Sequence, residues 1–447
     1  MQVKKPIVFH LPKLFVLKLD EELIINPPSF RYQKEYFYYL IRYLTVKEIQ
    51  NKNSKYFAIS LTNLKRVTVS NIDRYVIYLE KGAFLERDNY EVGVKAYHYK
   101  MNPEFLEGFV KFEISPTNKI YPKIIRALRL KQKNYNAKDK RPEYLRKMWL
   151  KFKTLDFDYE GARKWIDKNP SISKKYSYHT ALDRLEDKRF RYFKRNRTNN
   201  RLDSNLTNLP KGLKKFIKGD YKQIDLANSQ PYLLGQFLGQ TLISYNSNTN
   251  NINTKPLCSY LNKKNGFEKF VSQTVTAISK MPQKEGSFIN GELLNFNSSC
   301  LSGNFYDDFL TRLNDENVKR DDVKKMMFAV LFSKNENKIG FKRAIPFEKE
   351  KKMFAEVYPE IFWIVEQLKK YNHRNLPISL QKMEAYVFID YIALKLVEIG
   401  IVPLTIHDSI LVPKNDADEA LKVIESVFKE LFGVVPTFHN ELLKSIS

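Results

Sequence analysis

Cysteine is almost absent from this chain of 447 residues: only Cys258 and Cys300 occur, with no CxxC and no Cys/His cluster. That excludes a disulfide framework and leaves a structural zinc site without support; a reducing, cytoplasmic setting is expected. Long apolar runs are missing too. No stretch of about 18 apolar residues occurs, and the opening Met1-Gln-Val-Lys-Lys-Pro-Ile-Val-Phe-His-Leu-Pro12 is broken by charges and prolines; neither a membrane span nor a signal peptide is expected. There is no internal repeat at solenoid periods. Negative charge is also scarce, since 76 Lys plus Arg face 50 Asp plus Glu and leave a formal +26. An excess of that size favours a polyanionic partner, with a phosphate backbone foremost, over a small neutral substrate. Core material is not lacking: 43% hydrophobic and 14% aromatic residues can fill the cores of two to four domains.

Residues 1–115 mix β-like runs (Tyr56-Phe-Ala-Ile-Ser-Leu61, Arg74-Tyr-Val-Ile-Tyr-Leu79) with an aromatic helical stretch (Tyr36 to Leu44) and read as a small α+β accessory domain. Residues 116–200 turn helical and basic, ending in Arg184-Leu-Glu-Asp-Lys-Arg-Phe-Arg-Tyr-Phe-Lys-Arg-Asn-Arg197. Alternating cations and aromatics of this kind can grip phosphates while stacking on bases. The polar stretch Tyr245 to Pro256 reads as a loop. From Asp416 an amphipathic helix and a last strand, Gly433-Val-Val-Pro-Thr-Phe438, are expected.

Three segments carry candidate chemistry. Phe216-Ile-Lys-Gly-Asp-Tyr221 reads as a strand with Asp220 at its C-terminal end, followed by a helical run that Pro231 should interrupt or kink. Val402 to Ile406 and Ile410 to Val412 read as a β-hairpin with His407-Asp408-Ser409 at the turn. If the two strands pair, Asp220 and Asp408 meet, and two carboxylates without a salt-bridge partner in sequence call for a divalent cation between them. Two Mg²⁺ ions, with Mn²⁺ as the alternative, are the expected cofactor for in-line phosphoryl transfer at such a pair. The third segment is helical from about Lys319 to Phe332. Arg320, Lys324, Phe328 and Phe332 recur every four residues along about 18 Å of one slowly turning stripe. An ordinary amphipathic helix explains the phenylalanines but not their continuing the stripe of the cations. The cationic end suits a triphosphate and the aromatic end a base.

Together these segments resemble the palm and fingers of the family A, DNA polymerase I-like polymerases. That family's fingers helix reads Arg-x3-Lys-x3-Phe/Tyr-x3-Tyr-Gly, and this chain has Arg320-Asp-Asp-Val-Lys324-Lys-Met-Met-Phe328-Ala-Val-Leu-Phe332-Ser333. Arg201-Leu-Asp-Ser-Asn-Leu-Thr-Asn-Leu-Pro210 is similar to the family's Arg-Leu-Ser-Ser-x3-Asn-Leu-Gln-Asn-Ile-Pro, shortened by three residues. The likeness covers roughly residues 201–447. It implies a right-hand fold of class α/β: an antiparallel-sheet palm and helical fingers (about 240–375) within 201–447, a thumb-like region at 116–200, and the accessory domain at 1–115. By the same likeness Asp220, Asp408 and the backbone carbonyl of Tyr221 would bind metal, and Arg320 and Lys324 the triphosphate. Phe328 would line the sugar, Phe332 would stack at the nascent pair, and Asp225 would stand at the sugar gate. Arg201, Asn205, Asn208, Gln381 and His407 would touch primer and template.

Four departures bear on sugar choice. Asp225 stands where the DNA polymerases have Glu, Ser333 replaces a Gly, and Asn228-Ser-Gln-Pro231 replaces an Arg-containing continuation. His407-Asp408-Ser409 has the form seen in phage-type single-subunit RNA polymerases. Asp156-Phe-Asp158-Tyr-Glu160 with His179 and Asp183 is too short a span for a proofreading exonuclease. The expected activity is addition of nucleoside triphosphates to a nucleic-acid 3′ end, as a DNA polymerase on primer-template DNA, with RNA as an open alternative partner. The rivals are a phage-type RNA polymerase or primase, a template-independent terminal transferase, and a replication or defence protein that uses the fold mainly to bind nucleic acid.

Overall fold

The computed structural model describes residues 5–51, 56–88, 97–106, 108–130, 141–169, 172–246, 267–281, 288–339 and 342–443. They form a mixed α/β structure, mostly helical, with small antiparallel sheets. No helix among them is long and apolar enough to cross a membrane.

One hydrophobic cluster gathers Ile7 through Ile125 together with Phe190, so it runs past residue 115. Its strand Ile7–Pro12 pairs antiparallel with Phe109–Ile114, and the helix Lys34–Gln50 packs against that ribbon. Of the two β-like runs, Phe57–Ala58 is a short strand. The other is a correction: Arg74 to Leu79 lies inside the helix Ile72–Lys81, because Ile72, Tyr75, Val76 and Leu79 recur at helical spacing and are buried together.

The second cluster spans Tyr144 to Phe432 and surrounds a four-stranded antiparallel sheet in the order Leu404–Ile406, Ser409–Pro413, Tyr221–Leu226, Phe438–Leu443. The hairpin at His407-Asp408 forms as expected from sequence, with Ile406 opposite Ser409. The helix Ala417–Phe432 buries Ala420, Ile424, Val427, Phe428 and Leu431, and Gly433 ends it at φ 78, where a side chain would be strained. The last strand begins at Phe438 rather than Gly433; Pro436 can offer no N–H to a ladder.

The strand expected at 216–221 is shifted. Lys211–Phe216 is a 3-10 helix, Gly219 turns the chain at φ 100, and the strand runs Tyr221–Leu226 with Ile224 and Leu226 buried. Pro231 does not kink the helix Ser229–Asn246: it sits in the first turn, where a missing N–H has no partner to lose. Most of the expected loop at 245–256, like Cys258, lies outside the described residues. The helix Arg320–Phe332 is present and buries Val323, Met326, Met327, Val330 and Leu331, which turns the Arg320-Lys324-Phe328-Phe332 stripe outward.

Candidate active site

Strand register decides which carboxylates meet. Asp225 is the direct cross-strand partner of Ser409, so it stands beside Asp408, and Leu226 N–H donates to the Asp408 carbonyl at 3.3 Å. Asp220 precedes Tyr221, which pairs with Pro413, and its carbonyl accepts from Lys414 N–H at 2.8 Å. It is therefore at the other end of the strand, about 16 Å from Asp225 along the backbone, and it is exposed. The expected meeting of Asp220 with Asp408 does not occur, and the Tyr221 carbonyl shares the remote end. The reason is the five-residue shift of the strand start.

Burial, then the charges of Asp408 and Glu441, push the Asp225 carboxyl up to about 7, against the opposing pull of Lys214 and Lys211. Asp225 and Asp408 thus repel each other at the hairpin turn while two lysines of the 3-10 helix face them. Burial lowers the Lys214 ammonium, and the charges of Asp225 and Asp408 draw it back up. His407, at the turn, is exposed and holds φ 55, a left-handed backbone that is uncommon outside glycine but that histidine adopts more readily than most side chains. Ser409 is buried, donating to the Ile406 carbonyl at 2.9 Å and accepting from Gln223 at 3.1 Å.

Behind the pair lies a buried polar group that the sequence did not single out. Glu384, 1% exposed, receives Arg201 Nη2 and, at 2.7 Å, Gln230 Nε2 on one carboxylate oxygen. Burial raises the Glu384 carboxyl, Arg201 pulls it down and Asp408 pushes it up again. Gln381, one turn earlier, accepts from Asn199 at 2.9 Å. Arg201 and Gln381 are thereby brought to one helix, Asn375–Ala385, close to Asp408. The other two expected nucleic-acid contacts are engaged within the protein. Asn205 is buried, accepting from Tyr192 N–H at 2.7 Å and donating to the Arg184 and Phe190 carbonyls, so its amide is spent on backbone. Asn208 is exposed but gives its amide to Tyr192 and to the Ser204 carbonyl.

On the outward stripe, Arg320 pairs with Asp307 at 3.2 Å, and Arg320 and Lys324 lie 5.3 and 5.7 Å from the Tyr306 ring centroid. Phe328 is 59% exposed and its ring centroid is 5.6 Å from that of the half-buried Phe332. Burial is the main cause that pushes the Tyr306 phenol up to about 12, with Arg320 pulling it down and Asp408 pushing it up. Tyr306 is therefore within electrostatic reach of both the cationic stripe and Asp408. No motif marks it in the sequence.

The basic run upstream behaves differently from its composition. Arg191, 4% exposed, donates to the carbonyls of Leu185, Phe152, Lys153 and Leu155 and to the Tyr159 hydroxyl. Arg189 binds Asp187 and the Lys5 and Pro6 carbonyls, and Arg195 forks onto Asp390 at 2.8 and 2.9 Å. These three guanidinium groups are internal ties, not free phosphate grips.

Among the described residues no group of three or more His, Cys, Asp and Glu side chains is arranged to hold a metal ion. Asp225 and Asp408 are the pair that could contribute to one, with water and substrate oxygens completing the shell.

No family model and no curated protein matches the chain. Among solved structures it is similar to the POL domain of Pol1 from M. smegmatis in complex with DNA primer-template and dNTP, at 12% identity with a TM-score of 0.25. That match covers 64% of this chain and 56% of the other, so the chain spans little more than half the length of the structure it matches.

Proposed function

We propose that the chain catalyses metal-dependent nucleotidyl transfer to a nucleic-acid 3′ end, in a right-hand arrangement. The four-stranded sheet would be the palm, the helices between about 240 and 375 the fingers, and residues 116–200 a thumb-like region. The observation that carries this reading is the meeting of Asp225 and Asp408 at one hairpin end, with Tyr306 in reach of both that end and the Arg320-Lys324 stripe. The +26 charge supports a polyanionic partner.

The donor set fits Mg²⁺ or Mn²⁺. Two carboxylates forced together, one driven toward its neutral form partly by the other, leave negative charge that a hard divalent ion neutralises, and such ions take their remaining ligands from water and phosphate oxygens. Bound there, the ions supply activation of the 3′-hydroxyl and charge stabilisation at the leaving pyrophosphate. The chain's own residues do the positioning: Arg320 and Lys324 hold the triphosphate, Phe328 and Phe332 offer ring faces to sugar and base, and Lys214 offsets phosphate charge near the pair. Arg201, fixed by Glu384, would meet the end of the growing strand.

One observation favours a second version, synthesis with ribonucleotides as in an RNA polymerase or primase. Asp225 belongs to the carboxylate pair, so it no longer stands as a separate gate against the ribose 2′-hydroxyl. Extension of labelled DNA and RNA primers, with and without template, using each nucleotide pool, separates these versions. Product ladders that depend on Mg²⁺ and vanish in Asp408→Asn support the reading; no extension with any primer and pool would refute it.

A further inference from the structure

The nucleotide-facing stripe ends at Phe332, but the surface beyond the helix continues the same chemistry. The chain leaves that helix through the exposed Lys334 and, after an intervening helix pair, returns beside it in the turn Lys370-Tyr371-Asn372-His373-Arg374. Tyr371 is 85% exposed, the most exposed aromatic side chain among the described residues. Lys370 and Arg374 are exposed on either side of it, and among the described residues neither they nor Lys334 form an ion pair. His373 is held below its ordinary pKa by burial first and then by Arg374, Lys334 and Lys369, so those three cations lie within electrostatic reach of one ring, with Glu366 acting on Lys369 from the inner side.

A second aromatic borders the patch. Phe347 is 57% exposed and holds φ 57 and ψ 43, a left-handed backbone in which a bulky side chain is an outlier. Its carbonyl accepts from Lys351 N–H at 3.0 Å, and the Lys351 ammonium in turn donates to the Lys334 and Asn335 carbonyls. The Phe347 turn is thus fastened to the same corner of the fold. Exposed rings separated by unpaired cations match the requirements of a flexible polyanion carrying flat, unstacked bases: the rings take base faces and the cations take phosphates. A folded acidic protein would need the cations but would leave two exposed rings without a purpose.

We propose that Lys334, Phe347, Lys370, Tyr371, His373 and Arg374 form a docking surface for single-stranded nucleic acid. The helix Asn375–Ala385 leads from this turn to Glu384, about 14 Å along its axis, so the bound strand is the one that feeds the site near Asp408. That last identification rests on the nucleotidyl-transfer reading; the binding itself does not.

The test uses the full chain, a fluorescent DNA hairpin bearing a 5′ oligo-dT overhang, and the same hairpin with a blunt end. Tyr371→Ala and the Lys370→Glu/Arg374→Glu pair lie on exposed positions, and thermal melts check that they fold. Each is expected to weaken binding of the overhang hairpin about tenfold or more, leave the blunt hairpin within about twofold, and, for the charge pair, flatten the salt dependence of overhang binding. A 5-iodouracil placed in the overhang is expected to cross-link to a peptide containing Tyr371 or Phe347. Equal losses on both hairpins, or no loss on either, overturn the surface even if primers are extended. Cross-linking at Tyr371 in a chain that adds no nucleotide from any pool overturns the nucleotidyl-transfer reading and leaves the surface standing.

Discussion

Asp225 lies directly across the strand ladder from Ser409, and that single register pair sets its carboxylate beside Asp408 at the hairpin turn. Several charged and polar side chains lie around this point. Lys211 and Lys214 face it from the 3-10 helix, Glu384 supports it from behind through Arg201, and Tyr306 links it to the Arg320-Lys324 stripe.

Glu384 is expected to matter first for the fold of the site. Glu384→Ala leaves the Arg201 guanidinium without its buried counter-charge, and breaking a buried pair from one side costs about 3–5 kcal/mol. Chemical denaturation should show a loss of that order. Removing both charges, with Glu384→Met and Arg201→Met together, should recover much of it, since no uncompensated ion then remains. A double variant as unstable as Glu384→Ala would show that the pair is not coupled.

Tyr306 is expected to act through nucleotide use. Its ring supports Arg320 and Lys324, so Tyr306→Ala should raise the nucleotide concentration needed for half-maximal extension several-fold, while Tyr306→Phe keeps the ring and stays near wild type. Lys324→Ala removes a charge-assisted contact of roughly 1.5 to 3 kcal/mol and should act more strongly. Steady-state extension at varied nucleotide concentration checks both, and an unchanged response would argue against the stripe as the triphosphate site.

Arg191→Ala separates internal ties from nucleic-acid contacts. Loss of a buried guanidinium that serves four carbonyls should destabilise the chain by about 3 kcal/mol or more. The slope of nucleic-acid affinity against salt should not move, because Arg191 is not available to displace a counterion. A reduced slope with unchanged stability would reverse that assignment.

Lys369 gives a pH signature. It is 3% exposed, donates to the Val330 carbonyl near the end of the Arg320–Phe332 helix, and burial followed by repulsion from Lys351 lowers its pKa to about 8. The unfolded chain keeps that proton to about 10.4, so between the two values the unfolded state binds more protons and stability rises with pH. Below pH 8 the burial penalty is present in full. The stability of wild type minus that of Lys369→Met should therefore climb between pH 8 and 10 by an amount on the order of 3 kcal/mol at most. Urea melts across that range check it, and a flat difference would show that Lys369 is not strained by its burial.

Much of this was legible in residue order. The helix Arg320–Phe332 and the His407-Asp408 hairpin follow from periodicity and turn chemistry, and the structure has both. Asp220 shows the limit. Apolar Phe216 and Ile217 resemble a strand start, yet Gly219 at φ 100 resets the chain, and alternation from Tyr221 buries Ile224 and Leu226 while leaving Asp225 on the open side. A shift of five residues is invisible to composition and decisive for chemistry. Glu384 and Tyr306 stayed hidden because long-range packing gives them their partners, 183 residues away for Glu384 and Arg201. The basic run at 184–197 misleads for a related reason: sequence counts charges but does not reveal which carbonyls will absorb them.

The most direct test of the carboxylate pair compares Asp220→Asn, Asp225→Asn and Asp408→Asn in the full chain by primer extension and by Mn²⁺ titration followed by electron paramagnetic resonance in the presence of nucleotide. Asp225→Asn and Asp408→Asn should each lose at least about a thousandfold in extension and lose the tightly held ion, while Asp220→Asn keeps both near wild type. Retention of activity and ion by Asp225→Asn, with their loss in Asp220→Asn, would contradict the pairing of Asp225 with Asp408 as the reaction centre.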